Sequence, residues 1–166
     1  HVGPGRPGGE GPYDVARILA ADPGAAKKPA SPLWGPIGTY HYWAEPLFGY
    51  YLPVDPWVLR RHAHLLSDAG IDVLIMDATN ALTYRPVYEK LCEVFTDVRR
   101  EGDATPRIAF MVNTNAGATA QKLYADLYAP GLFRDLWFVW DGKPLLLCDP
   151  ALASPEVREF FTLRRA

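Results

Sequence analysis

The sequence contains few cysteines and no long hydrophobic run, and each absence excludes a class of protein. Its two cysteines, Cys92 and Cys148, are too few for a disulfide framework and lack the C-x-x-C spacing of a zinc or redox site. No apolar run approaches the ~20 residues of a membrane-spanning helix, so we expect no membrane span. Lysine and arginine are scattered and the formal net charge is -2, which indicates no binding surface for nucleic acid or for anionic lipid.

Several catalytic motifs are missing as well. The sequence has no Gly-x-Ser-x-Gly elbow, and Cys92 lies in a predicted helix as a small core residue, so a serine or cysteine hydrolase is disfavoured. His62 and His64 are two residues apart in a predicted helix, where their side chains point about 200° apart and cannot share an ion. We therefore expect no metal site and no cofactor.

The composition is typical of a soluble globular domain, with 49% hydrophobic and 22% charged residues among 166. Residues 1–54 are rich in proline, glycine and aromatic side chains and hold one short helix candidate, "YDVARILAA". We interpret them as a loop excursion over the rim of the fold that follows. Because the sequence begins with His1 and ends at "FFTLRRA" within a predicted helix, we expect a piece truncated at both ends.

Residues 55–166 show a regular alternation of helix and strand patterns. Asp55 is suited to cap a helix and Pro56 to its first position, and apolar residues then recur on one face until Gly70. A later helix opens with Ser154 as its cap, followed by a proline. Helices are predicted at 55–70, at 86–101, at about 117–129 and from Ser154.

Two continuous apolar runs lie between these helices. "IDVLIMDAT" (71–79) and "RIAFMVNTN" (107–115) have the pattern of parallel strands that are covered on both faces. The pair Asp141-Gly142 is favoured in two-residue turns and predicts a hairpin before the strand "KPLLLCD".

Successive βα units fit either a (β/α)8 barrel or an open doubly wound sheet. A spacing of 37 residues between Ile71, Ile108 and Leu145 indicates such units. An open dinucleotide-binding sheet normally carries a glycine fingerprint after its first strand, and no turn of this sequence has one. A complete barrel needs ~250 residues. We therefore predict an α/β fold that is the N-terminal half of a (β/α)8 (TIM) barrel, with parallel strands and a hairpin before the last strand.

Polar residues follow three of the predicted strands. Parallel α/β folds place their functional groups at the carboxyl ends of the strands. Asp77 and Asp149 are our candidate catalytic residues, because glycoside hydrolysis requires paired carboxylates. The candidate substrate-binding amides are Asn80, Asn113 and Asn115. The alternative for each of these residues is an ordinary structural role, since Asp and Asn commonly end strands and cap helices.

The segment "GTYHYWAEPLFGYY" (38–51) holds six aromatic side chains, one histidine and one carboxylate. Aromatic rings with a polar tip suit sugar recognition, because the C–H face of a pyranose stacks on the ring. The alternative, which we favour for most of these rings, is hydrophobic packing of a long loop. His41, Trp43 and Glu45 are the candidate substrate-binding residues of the segment, and Trp34 is a further candidate.

The sequence resembles uncharacterised bacterial glycoside hydrolase-like (β/α)8-barrel proteins, similar to glycoside hydrolase family 99 and the WbsX-type group. The resemblance covers most of the chain and is most specific in "DAGIDVLIMDATNA" and "WDGKPLLL". It implies a barrel that acts on a polysaccharide or glycan and is often exported to the periplasm or outside the cell. It supplies no catalytic residue, because the catalytic glutamates of family 99 lie on later strands and no position here matches their motif.

We therefore predict a glycoside hydrolase-like domain whose partner is a carbohydrate substrate, bound at the C-terminal rim of the barrel. Asp77 would position or protonate the sugar, and the asparagines would hold its hydroxyl groups. Two alternatives are open. One is a non-catalytic carbohydrate-binding barrel, and the other is a metal-assisted hydrolase whose ligand cluster is completed by strands outside this sequence.

Overall fold

A computed structural model describes residues 13–35 and 45–165. The chain divides into two compact units, His1–Leu59 and Arg60–Ala166. The division lies a few residues after the loop excursion that the sequence predicts at 1–54.

In the described part of the first unit, helix α1 (Val15–Ala21) lies within the predicted helix candidate. Asp14 caps this helix, because its Oδ1 accepts a hydrogen bond from the amide of Arg17 at 3.1 Å. Single turns of 3₁₀ helix follow at Ala25–Lys27 and Pro32–Trp34. Regular structure in the described part of this unit is therefore short, and side-chain packing holds it together.

The described residues of the first unit form a small core that includes the ring of Trp34. It consists of the buried residues Val15, Ile18, Ala25 and Trp34. The indole Nε1 of Trp34 donates a hydrogen bond to the carbonyl oxygen of Ala25 at 3.0 Å, which satisfies the polar atom of the ring inside the core. Only 7% of Trp34 is exposed. Trp34 is a packing residue, and our interpretation of it as a sugar-binding candidate is wrong.

Helix α2 (Pro56–Asp68) confirms the first helix predicted after the loop excursion. One carboxylate oxygen of Asp55 accepts hydrogen bonds from the amides of Trp57 and Val58, at 2.9 and 3.1 Å. Asp55 is therefore the cap that the sequence predicts. Gly70 follows the helix with a φ of 72°, a left-handed conformation that glycine adopts without steric cost.

The second unit is a mixed α/β structure built on a five-stranded sheet. Its strands are β1 (Val73–Ala78), β2 (Arg107–Val112), β3 (Val139–Trp140), β4 (Lys143–Leu147) and β5 (Thr162–Arg164). Strands β1, β2, β4 and β5 are parallel and lie side by side in that order, whereas β3 pairs antiparallel with β4. Each parallel strand therefore lies beside the next parallel strand in the chain.

Helices connect the parallel strands and lie on one side of the sheet. They are α3 (Arg85–Arg100), α4 (Ala116–Leu123) with a π-helical turn at Tyr124–Tyr128, and α5 (Pro155–Phe160). The ring of Phe110 in β2 contacts the rings of Tyr88 in α3 and Tyr128, with centroids 5.4 and 6.4 Å apart. Tyr128 in turn contacts Phe160 of α5. All three helices are thus on the face of the sheet that carries Phe110.

The two faces of the parallel sheet differ in burial at β1. On the helix-covered face, Ile108 and Phe110 are each 1% exposed. On the opposite face, Ile75 in the middle of β1 is 46% exposed, although Ala109 in β2 and Leu145 in β4 are buried on that face. One row across this opposite face consists, in register, of Asp77, Met111, Leu147 and Arg164. In the described part of the second unit, helices cover one face of the sheet only.

The hairpin predicted before "KPLLLCD" is confirmed as β3 and β4, but β4 is not the last strand as predicted, because β5 follows it. Asp141 and Gly142 form its two-residue turn with φ values of 52° and 80°, and a type I′ turn requires positive values at both positions. The hydroxyl of Thr162 donates a hydrogen bond to the carbonyl oxygen of Trp140 at 2.6 Å, and Arg164 forms an ion pair with Asp141 at 2.8 Å. These two contacts hold the tip of the hairpin against β5.

Two sequence-based expectations need correction. Helix α5 ends at Phe160, and Phe161 is extended (φ -100°, ψ 152°), so "FFTLRRA" enters β5 and does not continue a helix. The 37-residue spacing does not describe the strand register either. Leu74 pairs with Ile108, whereas Ile71 lies before β1 begins.

Candidate functional site

The carboxyl ends of β1, β2 and β4 lie at one end of the sheet, because the three strands are parallel and adjacent. The link between β1 and β2 continues past the strands, since the amide of Thr114 donates a hydrogen bond to the carbonyl oxygen of Thr79 at 2.8 Å. We call the polar end of the sheet the rim. It comprises Asp77, Thr79, Asn80, Asn113, Asn115, Cys148 and Asp149.

A cavity of about 260 Å³ opens at the rim. It is lined by Thr79, Met111, Val112, Asn113, Cys148, Asp149 and Arg165. The structure therefore brings two candidate site residues, Asn113 and Asp149, to one cavity from the ends of different strands. We refer to it as the rim cavity.

Asp77 is the exposed carboxylate of the rim. It lies on β1, and its Oδ1 accepts a hydrogen bond from the amide of Thr79 at 2.8 Å, which closes a turn at the strand end. Hydrogen bonds from the side chain and then the amide of Thr79 stabilise the ionised form, and they lower the pKa of Asp77 below its ordinary value of 3.8. Asp77 is therefore ionised at neutral pH, and its neighbour Thr79 lines the rim cavity.

Asp149 has two partners within the second unit. Its Oδ1 accepts a hydrogen bond from the amide of Ala151 at 2.9 Å, which caps the 3₁₀ turn Pro150–Leu152. The same oxygen accepts one from Nη2 of Arg165 at 3.2 Å. These bonds, that from Ala151 first, lower the pKa of Asp149. The rim cavity thus has an ionised carboxylate and a guanidinium side by side.

The three candidate asparagines differ in their freedom to bind a ligand. The side-chain amide of Asn80 donates a hydrogen bond to the hydroxyl of Tyr84, and its Oδ1 accepts one from the amide of Leu82 at 3.2 Å. Asn80 is therefore engaged in its own loop. Within the described residues, the side chains of Asn113 and Asn115 are exposed and form no hydrogen bond. Asn113 lines the rim cavity, so it is the amide best placed to contact a ligand there.

The candidates from the aromatic segment belong to the first unit. His41 and Trp43 lie outside the described residues. Glu45 is exposed, and just after it the amide of Gly49 donates a hydrogen bond to the carbonyl oxygen of Pro46 at 2.9 Å, which closes a turn. The contribution of His41, Trp43 and Glu45 to a sugar site stays a prediction.

Sequence reasoning did not select five of the residues that line the rim cavity, namely Thr79, Met111, Val112, Cys148 and Arg165. Thr79 and Cys148 follow predicted strands but were not chosen as site residues, whereas Met111 and Val112 lie within an apolar strand pattern, which suggested burial alone. Cys148 is 1% exposed, and burial raises the pKa of its thiol, so it serves as an apolar wall. Arg165 was assigned to a helix. The signal that could have found it is the helix start at Ser154. A short helix from this position leaves enough residues for another parallel strand that leads to Arg165.

A metal centre is not apparent among residues 13–35 and 45–165, because no three of their His, Cys, Asp and Glu side chains are grouped to hold an ion. His62 is partly buried in α2, and this burial lowers its pKa below 6.5.

Comparison of the chain with protein-family models, with curated proteins and with solved structures gives no match. The resemblance to glycoside hydrolase family 99 and the WbsX-type group therefore stays a prediction from the sequence. Among the described helices, none has both the length and the apolar character that crossing a bilayer requires.

Proposed function

We propose that β1, β2, β4 and β5 are half of a (β/α)8 barrel with a carbohydrate-binding site at its rim. The strand order supports this. Parallel strands follow one another across the sheet in chain order, and their connecting helices lie on one face. This arrangement results when each right-handed crossover connection places the next strand on the same side of the previous one, as in a barrel. A doubly wound sheet reverses direction and carries helices on both faces.

The second face of the sheet supports the same proposal. In a barrel this face lines the interior and is covered by side chains from the other strands. Ile75 lies on it and is 46% exposed in the described structure. Strands that are apolar on both faces normally have both faces buried. We infer that further strands of a closed barrel cover the face that carries Ile75.

The chemistry of the rim cavity carries the proposal of a carbohydrate ligand. Each sugar hydroxyl group both donates and accepts hydrogen bonds, so a sugar site needs both kinds of group. Asp149 offers a carboxylate, Arg165 a guanidinium and Asn113 an amide without a hydrogen-bond partner in the described chain. The volume of about 260 Å³ can accommodate one sugar ring.

The two rim carboxylates suit one of the two roles in glycoside hydrolysis. That reaction needs a carboxyl group that gives up a proton and a carboxylate that attacks the sugar or activates water. Because the pKa values of Asp77 and Asp149 are lowered, both carboxyl groups are ionised at neutral pH and neither is suited to donate a proton. Asp77, which forms no ion pair with a described residue, is suited to act as nucleophile or base. We infer that the proton donor belongs to another strand of the barrel.

A non-catalytic carbohydrate-binding barrel is the second candidate. The lowered pKa values favour it, because a general acid is normally held in its protonated form by a raised pKa. In such a protein, Asp77 and Asp149 would accept hydrogen bonds from sugar hydroxyl groups and take no part in bond cleavage.

Hydrolysis and binding measured on the same protein distinguish the two candidates. The full-length protein, including the strands proposed to carry the proton donor, is incubated with a panel of glycans, released reducing ends are quantified, and binding is followed by calorimetry. Asp77→Ala and Asp77→Asn are compared with Asp68→Asn, a control that removes the same charge from an exposed position at the end of α2.

For a hydrolase we expect Asp77→Ala to lower turnover by about 10²–10⁴-fold, the usual worth of a positioned acid or base, while Asp68→Asn is unaffected. Glycan binding by the wild type without any hydrolysis would support the non-catalytic candidate. If the wild type neither binds nor cleaves any glycan of the panel, the proposal of a carbohydrate function is wrong.

A further inference from the structure

A second and larger cavity lies at the amino ends of β1 and β2, with a volume of about 770 Å³. We call it the basal cavity. Its lining residues include the first residue of β1, Val73, whereas the rim begins at Asp77 on the same strand. At the rise of a parallel strand the two positions are separated by roughly 13 Å. The basal cavity is therefore a site separate from the rim.

The charges that line the basal cavity sum to a positive value. Two arginines, Arg99 and Arg107, face one carboxylate, Asp72. Arg107 is exposed and forms no ion pair with any described residue, and Asp72 likewise forms none. A chain whose formal net charge is -2 thus carries a local excess of positive charge at this cavity.

Arg99 is held in place by neutral oxygen atoms. Its Nε donates a hydrogen bond to the hydroxyl of Thr105 at 2.7 Å, and its Nη2 donates one to the carbonyl oxygen of the same residue at 2.9 Å. Its Nη1 donates one to the carbonyl oxygen of Asp135 at 2.7 Å. These acceptors fix the guanidinium but do not neutralise it. Burial and then the nearby Arg107 lower the pKa of Arg99, and the opposing effect of the Asp135 carboxylate is smaller.

The remaining wall of the basal cavity is apolar. Ile71, Val73 and Phe138 line it, and Ile71 is 41% exposed. An apolar wall combined with a few fixed polar groups in a cavity of several hundred cubic ångströms is the usual composition of a small-molecule site. A free inorganic ion would occupy only a small part of about 770 Å³. We propose that the basal cavity binds a small molecule that carries a phosphate or sulfate group, with the anion between Arg99 and Arg107 and the organic part against Phe138.

Calorimetric titration of the protein with four probes tests this proposal. The probes are phenyl phosphate, phenyl sulfate, inorganic phosphate and phenol, all at one ionic strength. None of them is a sugar, so the result does not depend on whether the rim binds carbohydrate. We expect an ester of phosphate or sulfate to bind more tightly than inorganic phosphate, and phenol to bind least.

Three variants connect the binding to the basal cavity. Arg107→Gln removes a cavity charge, and we expect it to weaken ester binding by about tenfold, the worth of one charge-assisted hydrogen bond. Arg17→Gln removes the same charge from a side chain of the first unit that is 90% exposed, and we expect no change. Asp72→Asn removes the opposing carboxylate and is expected to strengthen binding.

Three outcomes would overturn the proposal. They are no binding of either ester to the wild type, equal weakening by Arg107→Gln and Arg17→Gln, and binding of inorganic phosphate as tight as that of the esters. The first would mean that the cavity holds no oxyanion, the second that binding reflects net charge alone, and the third that the organic part makes no contact with the apolar wall.

Discussion

The hydroxyl of Tyr128 provides a sharp test of packing in the second unit. Tyr128 is 1% exposed and contacts the ring of Phe110, and its hydroxyl is buried without a hydrogen-bond partner in the described structure. The perturbation is Tyr128→Phe, which removes this hydroxyl and keeps the ring. Because a buried polar group without a partner destabilises the folded state, we expect the variant to be more stable than the wild type.

The size of the effect follows from two opposing contributions. Relief of the desolvation of an unpaired hydroxyl is worth about 1–3 kcal/mol. The small void left by the oxygen costs on the order of 0.4 kcal/mol, from roughly 15 Å³ at about 24 cal/mol per Å³. The net gain is then about 0.6–2.6 kcal/mol. For a chain of this length it corresponds to a rise in Tm of roughly 1–10 °C, at about 2–4 °C per kcal/mol.

The pH dependence gives the same test a second readout. Burial raises the pKa of Tyr128 well above its ordinary value of 10.0. In the unfolded chain this hydroxyl ionises near pH 10, whereas in the folded protein it stays neutral. Ionisation of this hydroxyl in the unfolded chain alone therefore costs no stability below pH 10, and stability is lost as the pH rises further. The advantage of Tyr128→Phe should grow above pH 10, by roughly tenfold in the unfolding equilibrium constant for each pH unit.

Urea unfolding at pH 7 and at pH 11 measures both effects. The control is Tyr84→Phe, because the hydroxyl of Tyr84 accepts a hydrogen bond from Asn80. This control should lose about 0.5–1.5 kcal/mol, the net worth of one hydrogen bond. If Tyr128→Phe is instead less stable than the wild type by 1 kcal/mol or more, the hydroxyl has a partner, such as an internal water molecule, and the reasoning is refuted.

Two further predictions concern the same unit. A Cβ atom at Gly117 would lie 2.3 Å from the carbonyl oxygen of Leu152. Gly117→Ala should therefore destabilise the protein by about 1–2 kcal/mol in urea unfolding, because overpacking outweighs the gain in helix propensity. A variant at least as stable as the wild type would contradict the close approach, and Ala118→Gly measures the effect of helix propensity alone. Burial raises the pKa of Cys92 from 9.0 to about 12 and that of Tyr88 from 10.0 to about 12, so both contribute stability that is full below their unfolded values and is lost as the pH rises towards 12. In unfolding at a series of pH values, the decline that starts near pH 9 should be smaller in Cys92→Ala than in the wild type, because the buried thiol of Cys148 remains, and it should start near pH 10 when both cysteines are replaced by alanine; an unchanged decline in Cys92→Ala would disprove the role of Cys92.

Features that depend on neighbouring residues could be predicted from the sequence. The caps at Asp55 and Ser154 are of this kind, and the hydroxyl of Ser154 does accept a hydrogen bond from the amide of Val157 at 3.3 Å. The turn at Asp141-Gly142 is also local, because the positive φ values of a type I′ turn favour these two residue types. Continuous apolar runs likewise indicated parallel strands in an α/β fold.

Features that depend on tertiary contacts could not be predicted. Helix α5 stops at Phe160, where the rings of Phe160 and Phe161 contact Tyr124 and Tyr128. Those contacts join segments that are distant in the chain, so local propensity did not reveal the turn into β5. Arg165 reaches the rim cavity for the same reason. The grouping of Asn113 with Asp149 was accessible, since it requires only that parallel strands end together.

The order of the parallel strands has a consequence for protein synthesis. As the chain leaves the ribosome, β1, α3 and β2 are all available before β4 has been made, so the first strand pair can form without any later residue. Each later strand then adds to the edge left by the one before it. Until β4 arrives, the outer edge of β2 offers free backbone groups to other nascent chains. Slow translation between β2 and β4 would therefore prolong the interval in which the edge of β2 is exposed.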